Sequence, residues 1–205
     1  SEKTPRIDPD YTSLVIPPNI APLNFRIMES GRDYMVRLSS EQGLSSGGSE
    51  AINIRCRDGV CRIPKKSWRR LLEANRGGSI FVDVFAQQAD GAWIQFKRMV
   101  NTVAREPIDS YIVYRRVTPN NSDAIVKGVY QRDLESFRES ALVTLRHGEF
   151  QCFNCHTFYQ HDPNRFLLHT RVKHPGMVLV ADGEIRKINT KQEPMFRPLA
   201  SPSTA

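Results

Sequence analysis

Three Asp-Gly dipeptides, each lying between short apolar segments, constrain the fold of this chain more than any other feature. They are Asp58-Gly59, Asp90-Gly91 and Asp182-Gly183. Asp-Gly favours the tight turn of a β-hairpin, because both central residues of that turn need a positive φ. Each dipeptide therefore predicts two antiparallel strands joined by a short connection.

Alternating apolar residues predict the strands of the first half of the chain. Within residues 79–87, Ile80, Val82 and Val84 share one face, since side chains alternate along a strand. Further strands are predicted at residues 24–29, 34–39, 51–57, 60–63 and 92–103. Several short strands with tight turns are typical of an immunoglobulin-like β-sandwich.

Two helices are predicted among these strands. Residues 64–75 carry apolar side chains with the i, i+3, i+4 spacing of a helix. Residues 162–173 begin with Asp162, a preferred N-cap residue, followed by Pro163 at the first helical position, and Pro175 follows the segment.

The predicted fold class is therefore mainly β with some α, an immunoglobulin-like β-sandwich followed by a small α+β region. The second region contains predicted strands at residues 110–117 and 124–131 and a hairpin around Asp182-Gly183. The predicted organisation is an extended N-terminal arm at residues 1–23, a β-sandwich domain at 24–106, a second domain at 107–190 and an irregular tail at 191–205.

The second domain contains a Cys-x-x-Cys-His motif, formed by Cys152, Cys155 and His156. This is the pattern of covalent c-type haem attachment. About one helical turn would separate the two cysteines, which lets their sulfurs form thioethers with the vinyl groups of one porphyrin. The imidazole of His156 would then bind the iron as the proximal ligand. The motif predicts one covalently bound haem c.

A haem iron bound by His156 has one further axial position. Candidate ligands downstream are His161, His169, His174, Met177 and Met195. We favour His169, because it follows Phe166 by three residues and would share one helical face with it. With no second ligand, the distal position would be open.

The same region also fits a zinc site. Cys152, Cys155, His169 and His174 have the spacing of a Cys2His2 zinc finger. That interpretation predicts a non-enzymatic module that binds nucleic acid or protein. Against it, zinc does not account for the histidine directly after the second cysteine.

The remaining cysteines, Cys56 and Cys61, flank the Asp58-Gly59 turn. If those two residues form the turn, Arg57 and Val60 close the hairpin. The cysteines then face each other at the next, non-hydrogen-bonded position, where Cα atoms are close enough for a disulfide. They are a disulfide candidate, and such a bond implies an oxidising compartment. Two free thiols remain the alternative.

Charge and hydropathy limit the class of protein. The formal net charge is +7, which suits an anionic partner, but the basic residues are scattered and nucleic-acid binding is not favoured. No apolar run is long enough to cross a bilayer, so no membrane span is predicted. The chain contains no phosphate-binding loop and no arrangement of catalytic carboxylates, and an electron carrier or subunit is favoured over an enzyme.

Five segments of the chain resemble bacterial exported TolB-like β-propeller proteins whose region before the propeller carries one Cys-x-x-Cys-His site. They are YTSLVIPPNIAPLNF at 11–25, PIDSYIVYR at 107–115, GVYQRDL at 128–134, CFNCHTF at 152–158 and FLLH at 166–169. The resemblance implies periplasmic or outer-membrane-associated placement and haem c on Cys152 and Cys155. It also implies His156 as the proximal ligand and His169 as the distal candidate.

The expected function is a monohaem c-type electron-transfer or haem-binding module in the cell envelope. Its partner would be a redox protein or an envelope complex. The alternatives are the zinc module and a periplasmic assembly component in which the haem is structural.

Overall fold

The computed structural model describes residues 2–41, 51–117, 128–144, 152–160, 162–171 and 175–188. These residues are mainly β, as predicted. The chain divides into two compact units: Ser1–Ile112 with Asp133–Arg138, and Val113–Arg132 with Glu139–Ala205. The predicted domain boundaries stay a prediction, because units defined by contacts within one chain need not fold independently.

The first unit consists of nine strands and the helix α1, among the residues described. They are β1 (Ile7–Asp8), β2 (Val15–Ile16), β3 (Phe25–Ile27), β4 (Asp33–Ser40), β5 (Ile52–Cys56), β6 (Val60–Cys61), α1 (Lys65–Ala74), β7 (Ser79–Gln87), β8 (Trp93–Gln95) and β9 (Met99–Val103). Six of the strands form a sheet in the order β2-β9-β7-β4-β5, with β8 also paired to β7. The other three form a second sheet, in the order β1-β3-β6.

One hydrophobic core joins the two sheets and the helix. Val36 of β4 and Val84 of β7 are opposite each other and fully buried. Phe25 and Ile27 of the smaller sheet belong to the same buried cluster. The alternation of apolar residues places one face of each sheet in this core, which is where most of the hydrophobic stabilisation arises.

The helix α1 packs the face that the sequence predicts. Trp68, Leu71 and Leu72 are buried, whereas the residues between these apolar positions face solvent. The Trp68 indole N–H donates a hydrogen bond to the carbonyl of Ile20 at 3.1 Å. The bond satisfies the polar atom of a large ring that is otherwise surrounded by apolar side chains.

The Asp-Gly turns form where they are predicted. Asp58 and Gly59 have φ values of 50° and 73°, and the backbone N–H of Val60 donates to the carbonyl of Arg57 at 2.8 Å. The turn around Asp182-Gly183 likewise has two positive φ values, 53° and 80°. The strand predicted at 92–103 is split into β8 and β9, both paired with β7.

The second unit is built from two further sheets. Its elements are β10 (Tyr111–Arg116), β11 (Gly128–Asp133), β12 (Glu139–Thr144), β13 (Cys152–Tyr159), β14 (Asp162–Arg171), β15 (Gly176–Ala181) and β16 (Glu184–Ile188). The ends of β10 and β11 extend into the first unit. The first sheet has the order β10-β11-β12, and the second is a four-stranded antiparallel meander in the order β13-β14-β15-β16.

The helix predicted over residues 162–173 is wrong, because its described part is the strand β14. The Asp162 carboxylate accepts a hydrogen bond from the backbone N–H of Asn164 at 2.9 Å. The group expected to cap a helix therefore closes a local turn instead. Gln160, with a φ of 49°, lies in the connection where Tyr159 pairs with Asp162.

A short connection at Asp133–Arg138 belongs to the first unit. The Glu135 carboxylate accepts a hydrogen bond from the Ser110 hydroxyl at 2.8 Å and a longer one from the Asn19 amide at 3.4 Å. It also forms an ion pair with Arg69. These bonds, with that from Ser110 as the largest cause, hold the pKa of Glu135 below its ordinary value of 4.5.

Among the helices that the structure describes, none combines the length and apolar character needed to span a membrane.

Leu72→Ala should lower the free energy of unfolding by about 2–5 kcal/mol, because it leaves a cavity at a fully buried site. Chemical denaturation of both proteins measures the difference. Lys66→Ala, at an exposed position of the same helix, is the matched control and should change stability by less than about 0.5 kcal/mol. Equal effects of the two substitutions would contradict the packing of α1.

Glu135→Gln should make the stability of the protein less sensitive to acid. A carboxylate whose pKa is lowered in the folded state stabilises the protein above its unfolded-state pKa, and this contribution is lost as the pH falls through the folded-state pKa. The variant lacks that contribution and should be less stable at neutral pH. Urea unfolding midpoints from neutral pH down to about pH 3 measure the slope. The exposed Glu106→Gln serves as the control, and an unchanged acid slope in Glu135→Gln would argue against the carboxylate network.

Candidate functional site

The Cys-x-x-Cys-His motif lies on β13, the edge strand of the four-stranded sheet. Phe153 pairs with Thr170, and His156 pairs with Leu168. Phe153 and His156 are three residues apart on β13, but their partners on β14 are only two residues apart. The strand β13 therefore contains one extra residue here, which is a β-bulge. The backbone of the motif is thus extended and bulged, and the expected helical turn between Cys152 and Cys155 is not formed.

His156 and His169 lie on opposite faces of this sheet. Directly paired residues of antiparallel strands share a face, so His156 shares a face with Leu168. His169 is the next residue along β14 and therefore points to the other face, where it pairs with Met177. The structure does not bring together the two imidazoles that the sequence predicts as axial ligands.

The half-buried His156 contacts one ring of an aromatic pair. Its imidazole meets the Phe158 ring edge to face, with centroids 5.6 Å apart and an interplanar angle of 77°. Phe158 in turn contacts Phe166 across the strand pair, at 5.5 Å. Rings in these geometries attract each other beyond the effect of burial alone, which restricts the orientation of the imidazole.

A small apolar core supports the same face of the sheet. Leu168, the partner of His156, is 4% exposed and Val129 is 2% exposed. Three half-buried side chains pack on this pair: Val113, Phe166 and Val178. His156 therefore stands beside apolar and aromatic side chains, on the side of the sheet where the second unit has its core.

A cavity of about 480 Å³ is lined by Thr157 and Leu167, on the face of the sheet that His169 shares, and is also bordered by Phe158 and Phe166. Leu179 contributes a further apolar wall, and Arg165 and Asp182 stand at its rim. The Arg165 guanidinium donates to the Asp182 carboxylate at 2.8 Å, and this bond raises the pKa of Arg165. The cavity combines aromatic walls with a charged pair, a composition common in ligand sites.

Several predicted ligands fall outside the described residues: His161, His174 and Met195. Met177 is half-buried and shares its face with His169. Among the residues whose placement is described, no group of three or more His, Cys, Asp or Glu side chains is positioned to hold a metal ion.

The Cys2His2 interpretation depended on a helix carrying both His169 and His174. The described part of that segment, Asp162–Arg171, is a strand. A zinc finger places its two histidines about one turn apart on a helix. Because the described part of this segment is a strand, the spacing between His169 and His174 no longer supports a zinc finger.

Cys56 and Cys61, the predicted disulfide pair, lie in the first unit as buried free thiols. The strand register of the second unit is what sequence reasoning missed. The alternation of Phe166, Leu168 and Thr170 on one face was the available signal, but a short apolar run fits a helix and a strand almost equally well.

Comparison of the chain with protein-family models, curated proteins and solved structures found no match.

A double-mutant cycle with Phe158→Ala and Phe166→Ala tests the register around the motif. The paired rings should give a coupling energy of about 0.5–1.5 kcal/mol in chemical denaturation. The matched pair of Tyr159→Ala with Phe166→Ala should show coupling near zero, because Tyr159 is 60% exposed. Coupling that is absent from the first pair would contradict the pairing of β13 with β14.

Proposed function

We propose that the second unit is a monohaem c-type module of the cell envelope, with haem attached through Cys152 and Cys155 and iron bound by His156. The observation that carries the proposal is the half-buried imidazole of His156, directly after the second cysteine and held against Phe158. The resemblance to exported proteins with one Cys-x-x-Cys-His site supports the same assignment.

The residues present fit this group in their chemistry. Two thiols supply the attachment points, and a neutral imidazole supplies a nitrogen ligand for iron. The bulge of β13 interrupts the regular pairing within the motif. Bulges often redirect side chains beside functional sites. When bound, the haem would supply the exchange of single electrons.

The contribution of the chain itself is to orient His156 and to limit water around it. Phe158 restricts the rotation of the imidazole, while Leu168, which is paired with His156, belongs to the buried apolar cluster on the same face of the sheet. An apolar surrounding of this kind influences the reduction potential of a haem by its low dielectric. These are the properties expected of an electron carrier or of a haem-binding subunit.

His169 is not favoured as the distal ligand by the strand register. For His169 to bind the same iron as His156, β14 would have to leave its pairing with β13 and β15. The assignment of His169 therefore stays a prediction, and the proposal rests on His156 alone.

The proposal extends to the first unit and to the location of the protein. Two sheets that share one core support an immunoglobulin-like β-sandwich in residues 24–106. Periplasmic or outer-membrane-associated placement follows from the haem attachment, because that chemistry occurs in an oxidising compartment, and the partner would be a redox protein or envelope complex.

Expression of the full chain with an export signal, in a bacterial host that matures c-type cytochromes, tests the haem. We expect about one covalent haem per chain, because the chain has one Cys-x-x-Cys-His motif. Denaturing gel electrophoresis with haem staining and the pyridine haemochrome spectrum measure it. Cys152→Ser and Cys155→Ser together should abolish attachment, whereas the control substitutions Cys56→Ser and Cys61→Ser should leave it intact.

Two histidine variants separate the ligands. His156→Ala should shift the Soret band or prevent maturation, and His169→Ala should leave the spectrum unchanged because His169 points to the other face of the sheet. Colourless protein without bound haem from the competent host would contradict the proposal. Stoichiometric zinc in that colourless protein would favour the zinc module, and a bound haem that exchanges no electrons would favour the structural role.

A further inference from the structure

Cys56 and Cys61 stand at the corner where the chain passes from one sheet of the first unit to the other. Cys56 is the last residue of β5, an edge strand of the six-stranded sheet. Cys61 is the last residue of β6, an edge strand of the three-stranded sheet. A bond between their sulfurs would therefore connect the two sheets and not merely two strands of one sheet.

The hairpin geometry brings the two Cα atoms together. The Arg57–Val60 pair that closes the Asp58-Gly59 turn is hydrogen-bonded, at 2.8 Å. In a regular hairpin the next position away from the turn, that of Cys56 and Cys61, is of the non-hydrogen-bonded kind, in which Cα atoms lie about 4.5 Å apart. Disulfides form at Cα separations of about 4.4–6.8 Å.

Both thiols belong to the buried core of the first unit. The two thiols share a hydrogen bond, and Cys56 and Cys61 are only 1% and 0% exposed. The hydrogen bond from Cys61 lowers the pKa of the Cys56 thiol. The same bond and burial raise the pKa of Cys61.

The residues paired with the two cysteines supply no further thiolate or imidazole that could complete a metal site. The neighbours of the pair across the sheets are Tyr34, opposite Cys56, and Phe25, opposite Cys61. Neither aromatic ring binds a metal in the way a thiolate or imidazole does. The environment suits a cross-link that is protected from reductants once the unit has folded.

We propose that Cys56 and Cys61 form a disulfide that joins the two sheets of the first unit in an oxidising compartment. The oxidant is a small-molecule or protein disulfide. Oxidation takes place during folding, before the core closes around the two cysteines: the Cys56 thiolate attacks one sulfur of the oxidant, forms a mixed disulfide and releases the first thiolate. Cys61 then attacks the Cys56 sulfur and releases the second. The two protons of the cysteines pass to the two released thiolates, so one disulfide is consumed for each one formed.

Peptide mapping tests the bond directly. The full chain is exported to the bacterial periplasm, denatured with N-ethylmaleimide but without reductant, and digested with trypsin, which cleaves after Arg57. We expect the fragments containing Cys56 and Cys61 to remain linked and unlabelled until reductant is added. Maleimide on both cysteines before reduction would overturn the proposal.

The Cys152→Ser/Cys155→Ser variant makes this result independent of the haem. That variant retains two of the four cysteines, so any disulfide within its chain joins Cys56 to Cys61. Linked fragments together with a failure of haem attachment in the unmodified chain would uphold this inference and reject the proposed function. Free thiols at Cys56 and Cys61 together with attached haem would reject this inference and uphold the proposed function.

Reductant sensitivity gives a second measurement in the same background. Reductant should lower the denaturation midpoint of the Cys152→Ser/Cys155→Ser protein, because the cross-link restricts its unfolded state. Adding Cys56→Ala and Cys61→Ala should remove that shift. The alanines lower the stability of the variant by leaving cavities, but they do so equally with and without reductant. Equal responses to reductant in the two proteins would contradict the disulfide.

Discussion

The antiparallel pairing of β14 with a strand on each side determines which side chains of the second unit can act together. Residues opposite each other in such a pair share a face, and adjacent residues do not. The register of His156 with Leu168 places the imidazole beside Phe158 and Phe166. The same register carries His169 to the opposite face. A shift of one residue would reverse both placements.

The bulge within the motif is one of two irregularities in the pairing of β13 with β14, the other lying between Phe158 and Tyr159. The bulge within the motif lies between Phe153 and His156. Regular pairing along the whole motif would have put every second residue on the core side. The extra residue changes the alternation just before His156, so the imidazole reaches the face on which the second unit has its apolar cluster.

The first unit depends on a different constraint, the need of two sheets to bury one apolar face each. Their shared core is closed on one side by α1, through Trp68 and Leu72, and at a corner by the Asp58-Gly59 turn. The tight turn reverses the chain within two residues and passes it from one sheet to the other. The two cysteines next to the turn are buried in the core that the two sheets share for that reason.

Local signals in the sequence determined much of this protein. Asp58-Gly59 and Asp182-Gly183 identified their hairpins, because a positive φ at two successive residues is a local requirement. The spacing of Trp68, Leu71 and Leu72 identified the buried face of α1. The Cys-x-x-Cys-His motif likewise defined the chemistry on which the proposed function rests. Only the tertiary structure decided that residues 162–171 form a strand, since an Asp that caps helices also closes turns. It also decided which faces the histidines occupy, because strand register depends on partners that no local pattern specifies.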